Sequence, residues 1–441
     1  MSLPPGPRMP GTIQTLGFLV RPYEVLERCY RTYGDMFTIR LLGDKTYVVV
    51  SDPQLVRHVF AGCGAPESLD VGNSEFKPLL GENSILILNG PRHRRHRALL
   101  LPPFRPAGFS SYGAHAWSIA EETGLGWTRG DTFAVMPLMR RISIAVIVAI
   151  VFGKRAPEQT QKFRSAVERL MQFVNGPLVY VAMLQKDLGR WSPGGRVWHA
   201  RRQLLELIDT EIADCRRGTI KDAGNALLNV LVQARDDAGD PLTDTEIREE
   251  ILTMLLAGHD PTTAASSWML YCIHEEAAVD EKVREELRSC PPAPEAIAAL
   301  PYLDAVCNES LRLYPVIPVV ERVARVPLQI GRFDIPPDCR IAPCIYLVHR
   351  RPDLFPEPES FRPERFLGRR YAPHEFFPFG GGSRRCVGAS FAPYQMKLVV
   401  ASLLRRFRFR RTAGKIRPRF RGAAVTPSSN FALQVTDVGI N

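Results

Sequence analysis

The stretch from Phe377 to Ala392, FPFGGGSRRCVGASFA, decides how this chain is read. It holds a lone cysteine, Cys386, in a glycine loop with two arginines before it and small residues behind it. No Cys or His stands within a few residues to complete a zinc site. A buried thiolate is a soft, electron-rich ligand suited to iron or zinc. A site with one cysteine fits iron whose other ligands come from a porphyrin. Gly380 and Gly382 allow a tight bend and a close approach to a flat macrocycle. A helical pattern opens after the cysteine, so its amides and positive dipole end point towards the sulfur and stabilise the thiolate. Gly388 leaves room for the ring over that helix, and Arg384 can pair with an anionic haem propionate.

Phe379-Gly380-x-Gly382-x-Arg384-x-Cys386-x-Gly388 matches every fixed position of the haem-binding signature of the cytochrome P450 family, which this chain resembles from about residue 4 to residue 437. The resemblance implies haem b (iron protoporphyrin IX) with Cys386 as the metal ligand. It implies a mainly α fold with a small β subdomain, the haem lying between the long central helix and the last long helix. Two further motifs follow in the family's order. Glu309-Ser310-Leu311-Arg312 sets an acid and a base on one helix face, and FRPERF follows from Phe361 to Phe366. By resemblance, Glu309, Arg312 and Arg365 form a buried ion network under the cysteine loop, structural and not catalytic. In His93-Arg94-Arg95-His96-Arg97, His93 and Arg97 are one helical turn apart. The equivalent family positions hold the haem propionates, and Arg322 matches another propionate partner. Arg94 and Arg95 point away from that face and are expected at the surface.

A capping box, Thr243 to Glu246, opens PLTDTEIREEILTMLLAGHDPTTAASSWMLYCIHEE. The pattern then predicts one helix of roughly thirty residues, apolar nearly all round in its centre and so buried in a large domain. In the family this helix crosses the distal haem face with the pattern Ala/Gly-Gly-x-Asp/Glu-Thr-Thr/Ser. Here it reads Ala257-Gly258-His259-Asp260-Pro261-Thr262-Thr263. A proline stands where the family has the threonine that helps deliver protons to dioxygen. Proline lacks the N–H that would bond the Ala257 carbonyl, so a kink is expected, with that carbonyl free for water or a substrate hydroxyl. Asp260 remains as an acid relay. Thr262 moves inward if the helix carries one extra residue as a π-bulge. Otherwise Pro261 only kinks a packed helix and water relays the proton. His259 reads as a packed or solvated neighbour, not an iron ligand.

Composition bounds the rest. Of 441 residues, 45% are hydrophobic and 23% charged, ordinary proportions for a globular chain. No linker, repeat or low-complexity tract divides it, so one domain over 1–441 is expected, with a Pro-rich lead over 1–20 and no fused reductase. Its apolar stretches break at charges short of the roughly 20 residues that span a bilayer. MSLPPGPRMPG lacks the charged and apolar regions of a signal peptide. A cytoplasmic monomer without a membrane anchor is expected. Nine cysteines at irregular spacings, with no CxxC pair, argue against a disulfide scaffold or zinc ribbon. The net charge of +11 concentrates in RRFRFRRTAGKIRPRFR, where nine of the seventeen residues 405–421 are Arg or Lys. This run lacks a DNA-binding motif and sits inside the enzyme-like region, so it is not read as a nucleic-acid site.

Local patterns predict a helix in RPYEVLERCYRTYG, a hairpin in MFTIRLLGDKTYVVVS around Gly43-Asp44, and a helix in DPQLVRHVFAG. A polar loop over 63–90 follows, then helices to about residue 300 with Pro/Gly breaks near 102, 155, 176 and 193. VVERVARVPLQIGRFDIP and RIAPCIYLVHR read as strands, and a last helix leads to a short β tail.

The resemblance puts substrate contacts in the 63–90 loop, the 165–200 region, the central helix and the segment after Arg312. Ile85, Leu86, Leu256, Ala257, Val316, Ile317, Val319 and Val425 are all apolar, so a hydrophobic small-molecule substrate is expected. MQFVNGPLVYVAMLQ, around 171–185, reads as an apolar lid. Electrons are expected from a separate ferredoxin or flavodoxin with its NAD(P)H-dependent reductase. These partners are acidic, and Arg92, Arg94, Arg95, Arg384, Arg385 and part of the 405–421 run would face them. The implied reaction inserts one atom of dioxygen into a C–H or C=C bond, a hydroxylation or epoxidation. Cys386 pushes electron density to the iron, and Asp260 and Thr262 relay protons. Three alternatives stay open: a peroxide-using or oxidative-coupling enzyme with an atypical proton relay, a haem-based ligand sensor or binding protein, and an enzyme acting on a carrier-tethered substrate.

Overall fold

The computed structural model describes residues 3–43, 45–65, 68–153, 155–174, 187–189, 191–219, 226–412, 414, 416–421 and 424–439. About 53% of the chain is helical. The main core joins the apolar faces of the helices Phe109–Thr123, Val135–Phe152, Pro301–Leu313 and Phe391–Arg406 with the central helix, and Trp268, Met269 and Leu398 are fully buried in it. Val135–Phe152 is long and apolar enough to span a membrane, further than the sequence reading allowed. It lies mostly buried inside the protein, against the central helix.

Two smaller apolar clusters build the β part. Its sheet has five strands in the order Met36–Leu41, Lys45–Val50, Arg340–Pro343, Arg322–Ala324, Leu69–Asp70. The expected hairpin forms, with Met36 opposite Val50 and Leu41 opposite Lys45. Gly43, at φ +79°, makes its turn. A second, three-stranded sheet orders Thr132–Ala134, Ala432–Val438 and Phe407–Arg411.

Three segments depart from their sequence reading. The Pro-rich lead runs beside the first strand, Thr38 N–H donating to the Pro5 carbonyl (2.9 Å), but Gly11–Val20, which contains no proline, is a helix. In RIAPCIYLVHR the strand stops at Pro343 and Ile345–Val348 is a helical turn. The central helix is two helices, Asp244–Ala257 and Asp260–Ile273, parted at Gly258 and His259. The capping box forms as read: Thr243 Oγ1 accepts from Glu246 N–H (3.2 Å), and Glu246 Oε2 from Thr243 N–H (2.8 Å). The break follows from Pro261, which has no N–H for the carbonyl one turn back and is well placed only at the start of a helix. Gly258 fits the join because a Cβ there would come within 2.9 Å of Ile147. Of the lid segment, residues 171–174 close the helix Pro157–Val174, and residues 175–185 lie outside those described.

Candidate active site

Gly380 and Gly382 have φ +68° and +67°, a region that favours glycine. A Cβ on Gly381 would meet the Phe60 ring at 2.2 Å, and one on Gly382 the Phe60 carbonyl at 2.4 Å. The loop is therefore pressed against the helix Pro53–Phe60, which explains two of its glycines without any ligand. Cys386 N–H donates to the Phe379 carbonyl (3.0 Å), closing the loop. Phe379 itself is half-buried against the main core. Cys386 is surrounded by protein, yet its side chain is open to solvent, as expected of a group on the wall of an internal cavity. Burial pushes its thiol pKa up; the Gly388 N–H, Arg97 and Arg385 pull the other way, towards thiolate. A Cβ on Gly388 would stand 3.9 Å from Sγ, so this glycine shields one side of the sulfur without crowding it. The helix Phe391–Arg406 starts about one turn beyond.

Beneath the loop, the expected brace is present. Arg312 Nε and Nη2 donate to the two oxygens of Glu309 (2.7 and 2.8 Å), and both side chains are fully buried. Arg365 Nε donates to Glu309 Oε1 (3.0 Å), as does the Arg362 N–H (2.8 Å). Arg312 also donates to the carbonyls of His349 and Pro358, both at 2.8 Å. Every charge is paired and hydrogen-bonded, the condition under which a buried ion pair is tolerated. His349 was missed in the sequence. Its carbonyl takes Arg312, and its Nε2 accepts the Phe377 N–H at 3.0 Å, so one residue ties the brace to the cysteine loop. Burial, then Arg312 and Arg350, hold its ring neutral, as an acceptor must be. No local signal marks it.

Near the cysteine, three arginines and a neutral histidine converge from three elements: His93 and Arg97 of the helix Gly90–Leu100, Arg322 of its strand, and Arg384. Burial and then Arg384, Arg97, His96 and Arg322 push His93 down to about 3. Burial takes Arg322 down to about 10, against a small opposing pull from Glu321. Burial, Arg322 and Arg97 take Arg384 to about 10, with Asp70 opposing. Arg322 Nη2 donates to the Gly381 carbonyl (3.0 Å), and Arg384 to the Asn89 side chain (2.6 Å) and the Ile85 carbonyl (3.3 Å). These partners are neutral. Three partly or fully buried guanidinium groups without a carboxylate partner among the described residues are the complement of a dianion, and with the His93 ring the donor set suits the two carboxylates of a porphyrin. Arg94 is exposed as expected. Arg95 is not: it is half-buried and paired with Asp236 (2.5 Å) and Glu246 (3.2 Å).

At the helix break, Thr262 is buried and its Oγ1 donates to the Gly258 carbonyl at 2.9 Å. The central helix parts here and carries no π-bulge among the described residues. Asp260 is buried, with Oδ1 3.7 Å from Arg140 Nη2 and in no hydrogen bond. Arg421 also feels its charge. Arg140, on the helix Val135–Phe152, was not singled out in the sequence. His259 is fully buried, its Nδ1 2.7 Å from the Leu255 carbonyl, as a packed residue.

Ile85, Leu256 and Val316 are buried in the main core and Ile317 packs on it. Val425, fully buried, donates its N–H to the Val316 carbonyl (2.7 Å). Val425 and Val319 belong to a separate cluster on the β side. Leu86 is 37% exposed and does not join the others. Of the basic run, Arg405 binds the Leu287 and Cys290 carbonyls, Arg408 pairs with Glu281 and Arg411 with Glu275. Those charges are held within the molecule and leave Arg410, Arg417 and Arg419 exposed among the described residues of the run.

Comparison with known proteins agrees with this geometry. Residues 4–435 match the family model for cytochrome P450. The chain belongs to the cytochrome P450 family. Its relatives include the "Putative cytochrome P450 135B1" of Mycobacterium tuberculosis, 33% identical over 99% of this chain and 92% of the relative, and "Putative cytochrome P450 138" of the same organism, 33% identical over 96% and 94%. Among solved structures, retinoic acid-bound cyanobacterial CYP120A1 superposes with a TM-score of 0.86 at 27% identity, covering 98% of both chains. The haem domain of cytochrome P450DA gives 0.86 at 22% identity, over 98% and 97%. This P450 is accordingly a haem b enzyme, a haem-thiolate monooxygenase of the oxidoreductase class.

Proposed function

We propose that this P450 hydroxylates or epoxidises a hydrophobic small molecule, taking electrons from a separate ferredoxin or flavodoxin. The observation that carries the site is the convergence of Arg97, Arg322 and Arg384 on the neutral, buried His93 beside Cys386. Cys386 is the metal ligand in this reading, and His93, Arg97, Arg322 and Arg384 hold the propionates. When bound, the haem supplies the activation of dioxygen that sends one atom to substrate and the other to water. The protein's part is to offset, with the Gly388 N–H and the Arg97 charge, some of the burial that disfavours the Cys386 thiolate, and to admit protons in a controlled way. Thr262 Oγ1 spends its proton on the Gly258 carbonyl, so its lone pairs are free to accept from a water. Asp260 Oδ1, without a hydrogen bond of its own, is the group that passes protons to that water, with Arg140 holding the carboxylate at the break.

The apolar surroundings of Ile85, Leu256 and Val316 support a hydrophobic substrate. So does the relative solved with retinoic acid, a long apolar acid. Exposed Arg92, Arg94 and Arg385 near the cysteine loop support an acidic redox partner, and turnover should fall as salt is raised. We place the protein in the cytoplasm as a soluble, single-domain monomer, since the one membrane-length helix among the described residues is mostly buried in the core. The test is a titration of the purified haem protein with a panel of hydrophobic compounds, read in the visible spectrum. A saturable low- to high-spin shift with one chemical class supports the pocket. An absent thiolate spectrum overturns the assignment of Cys386.

A further inference from the structure

The loop Gly81–Asn89 joins three parts of the molecule. From the first half of the central helix, Glu249 Oε2 accepts from the Asn83 backbone N–H (2.7 Å) and from the Asn83 side-chain amide (2.9 Å). Gly81, at φ +95°, lies so close that a Cβ would stand 2.0 Å from the Glu249 carboxyl carbon. Arg92 Nη2 donates to Asn83 Oδ1 (2.6 Å), which fixes the orientation of that amide. One turn on, the buried Thr253 and Ser84 hydroxyls share a hydrogen bond of 2.7 Å. The Ser84 carbonyl takes the Ile87 and Leu88 N–H groups (2.8 and 2.9 Å). At its far end the loop is held by Arg384, through the Ile85 carbonyl and the Asn89 side chain.

Ser84, Ile85 and Leu88 are buried while Leu86 faces water, so one face of the loop lines the core and the other is free. A loop of this kind has little apolar surface to fix it, and a few polar contacts decide where its inner wall stands. The Glu249 carboxylate takes two donors from one residue on its Oε2, and both contacts are charge-assisted. Of the neighbouring acids, Glu246 and Glu250 flank His96 (3.2 and 2.7 Å), and Glu250 also feels the Ile85 backbone N–H of the same loop.

We infer that Glu249 is a positioning residue that sets the Ile85 wall of the substrate cavity by clasping Asn83. The inference rests on the reading of that cavity as the haem and substrate site. It is tested with Glu249→Ala and Glu249→Gln in the full-length, haem-loaded protein. Gln keeps an oxygen that can accept both N–H groups; Ala does not. In Glu249→Ala, hydrogen exchange over residues 82–88 is expected to quicken about tenfold, and exchange over 303–313 to stay unchanged. The same variant should bind 4-phenylimidazole about tenfold more weakly, read in the haem spectrum, and bind imidazole as before, because only the larger azole reaches the loop. Glu249→Gln should stay near the natural protein in both measurements. Unchanged exchange at 82–88 overturns the inference, and so does any other azole pattern, including parallel weakening of both. If the natural protein gives no thiolate–azole spectrum, the haem reading fails, and the exchange result still judges the clasp.

Discussion

The brace under the cysteine loop and the break in the central helix treat buried charge in opposite ways. Under the cysteine loop, Glu309, Arg312 and Arg365 satisfy one another and a set of carbonyls. Around the helix break, Asp260 Oδ1, His259 Nε2 and two Arg140 nitrogens are buried with no hydrogen bond, and the cations above Cys386 face neutral partners. A fully paired network rigidifies; unpaired polar atoms in the interior persist where water, a ligand or a moving proton completes them. The first region should answer to stability measurements and the second to measurements of function.

The largest effect is expected from breaking the first. Arg312→Ala leaves the buried Glu309 carboxylate with Arg365 as its one charged partner and should cost about 3–5 kcal/mol in denaturant unfolding, with little haem retained. Replacing both, Glu309→Met with Arg312→Leu, should recover part of that loss, since the fully buried pair is removed as a unit and Arg365, which loses its carboxylate, keeps the Pro356 carbonyl. Cys386→Ser sharpens the contrast. Its circular dichroism should stay that of the natural protein while the thiolate signature of the haem spectrum disappears.

Next comes the break. Thr262→Ala removes the hydroxyl that meets the Gly258 carbonyl, and product formed per NAD(P)H consumed should fall about threefold or more. Pro261→Thr restores an N–H for the Ala257 carbonyl and should raise the same ratio. A fall with Pro261→Thr would show that the break itself serves proton delivery.

The smallest effect concerns pH. The folded pKa of His93, about 3, is below its unfolded value of about 6.5, so between these values the unfolded chain binds the extra proton. Stability of the haem-free protein is therefore full above pH 6.5 and is lost as pH falls towards 3, and His349 acts in the same direction. His93→Gln should reduce the slope of unfolding free energy over pH 4–6 by up to about 1.4 kcal/mol per pH unit. Loading haem should have a similar flattening effect by placing carboxylates beside the ring.

The legible parts of the site were those whose residues lie close in sequence. The cysteine loop and the Glu309–Arg312 pair are fixed by spacing, and Pro261 announced a kink by what proline lacks. Whether the helix would bend, bulge or part was not legible, because Ile147, packed on Gly258, belongs to a distant helix. Arg95 looked like a surface residue for the same reason: its partner Glu246 is 151 residues away. The basic run at 405–421 looked like a docking face because Glu281 and Glu275, which absorb part of it, stand far upstream. Leu86 failed as a pocket residue because a loop has no period from which to tell its inner side from its outer.

The contacts of His349 bear on how the protein is made. Everything that fixes the cysteine loop from below, from Glu309 through His349 and Arg365 to Phe377, comes from one late stretch of chain and can assemble as that stretch leaves the ribosome. His93 and Arg97 have emerged long before. The sulfur side of the cavity thus forms by local contacts and the carboxylate-binding side by distant ones, and a porphyrin that meets both can act as the last piece joining the two ends of the chain.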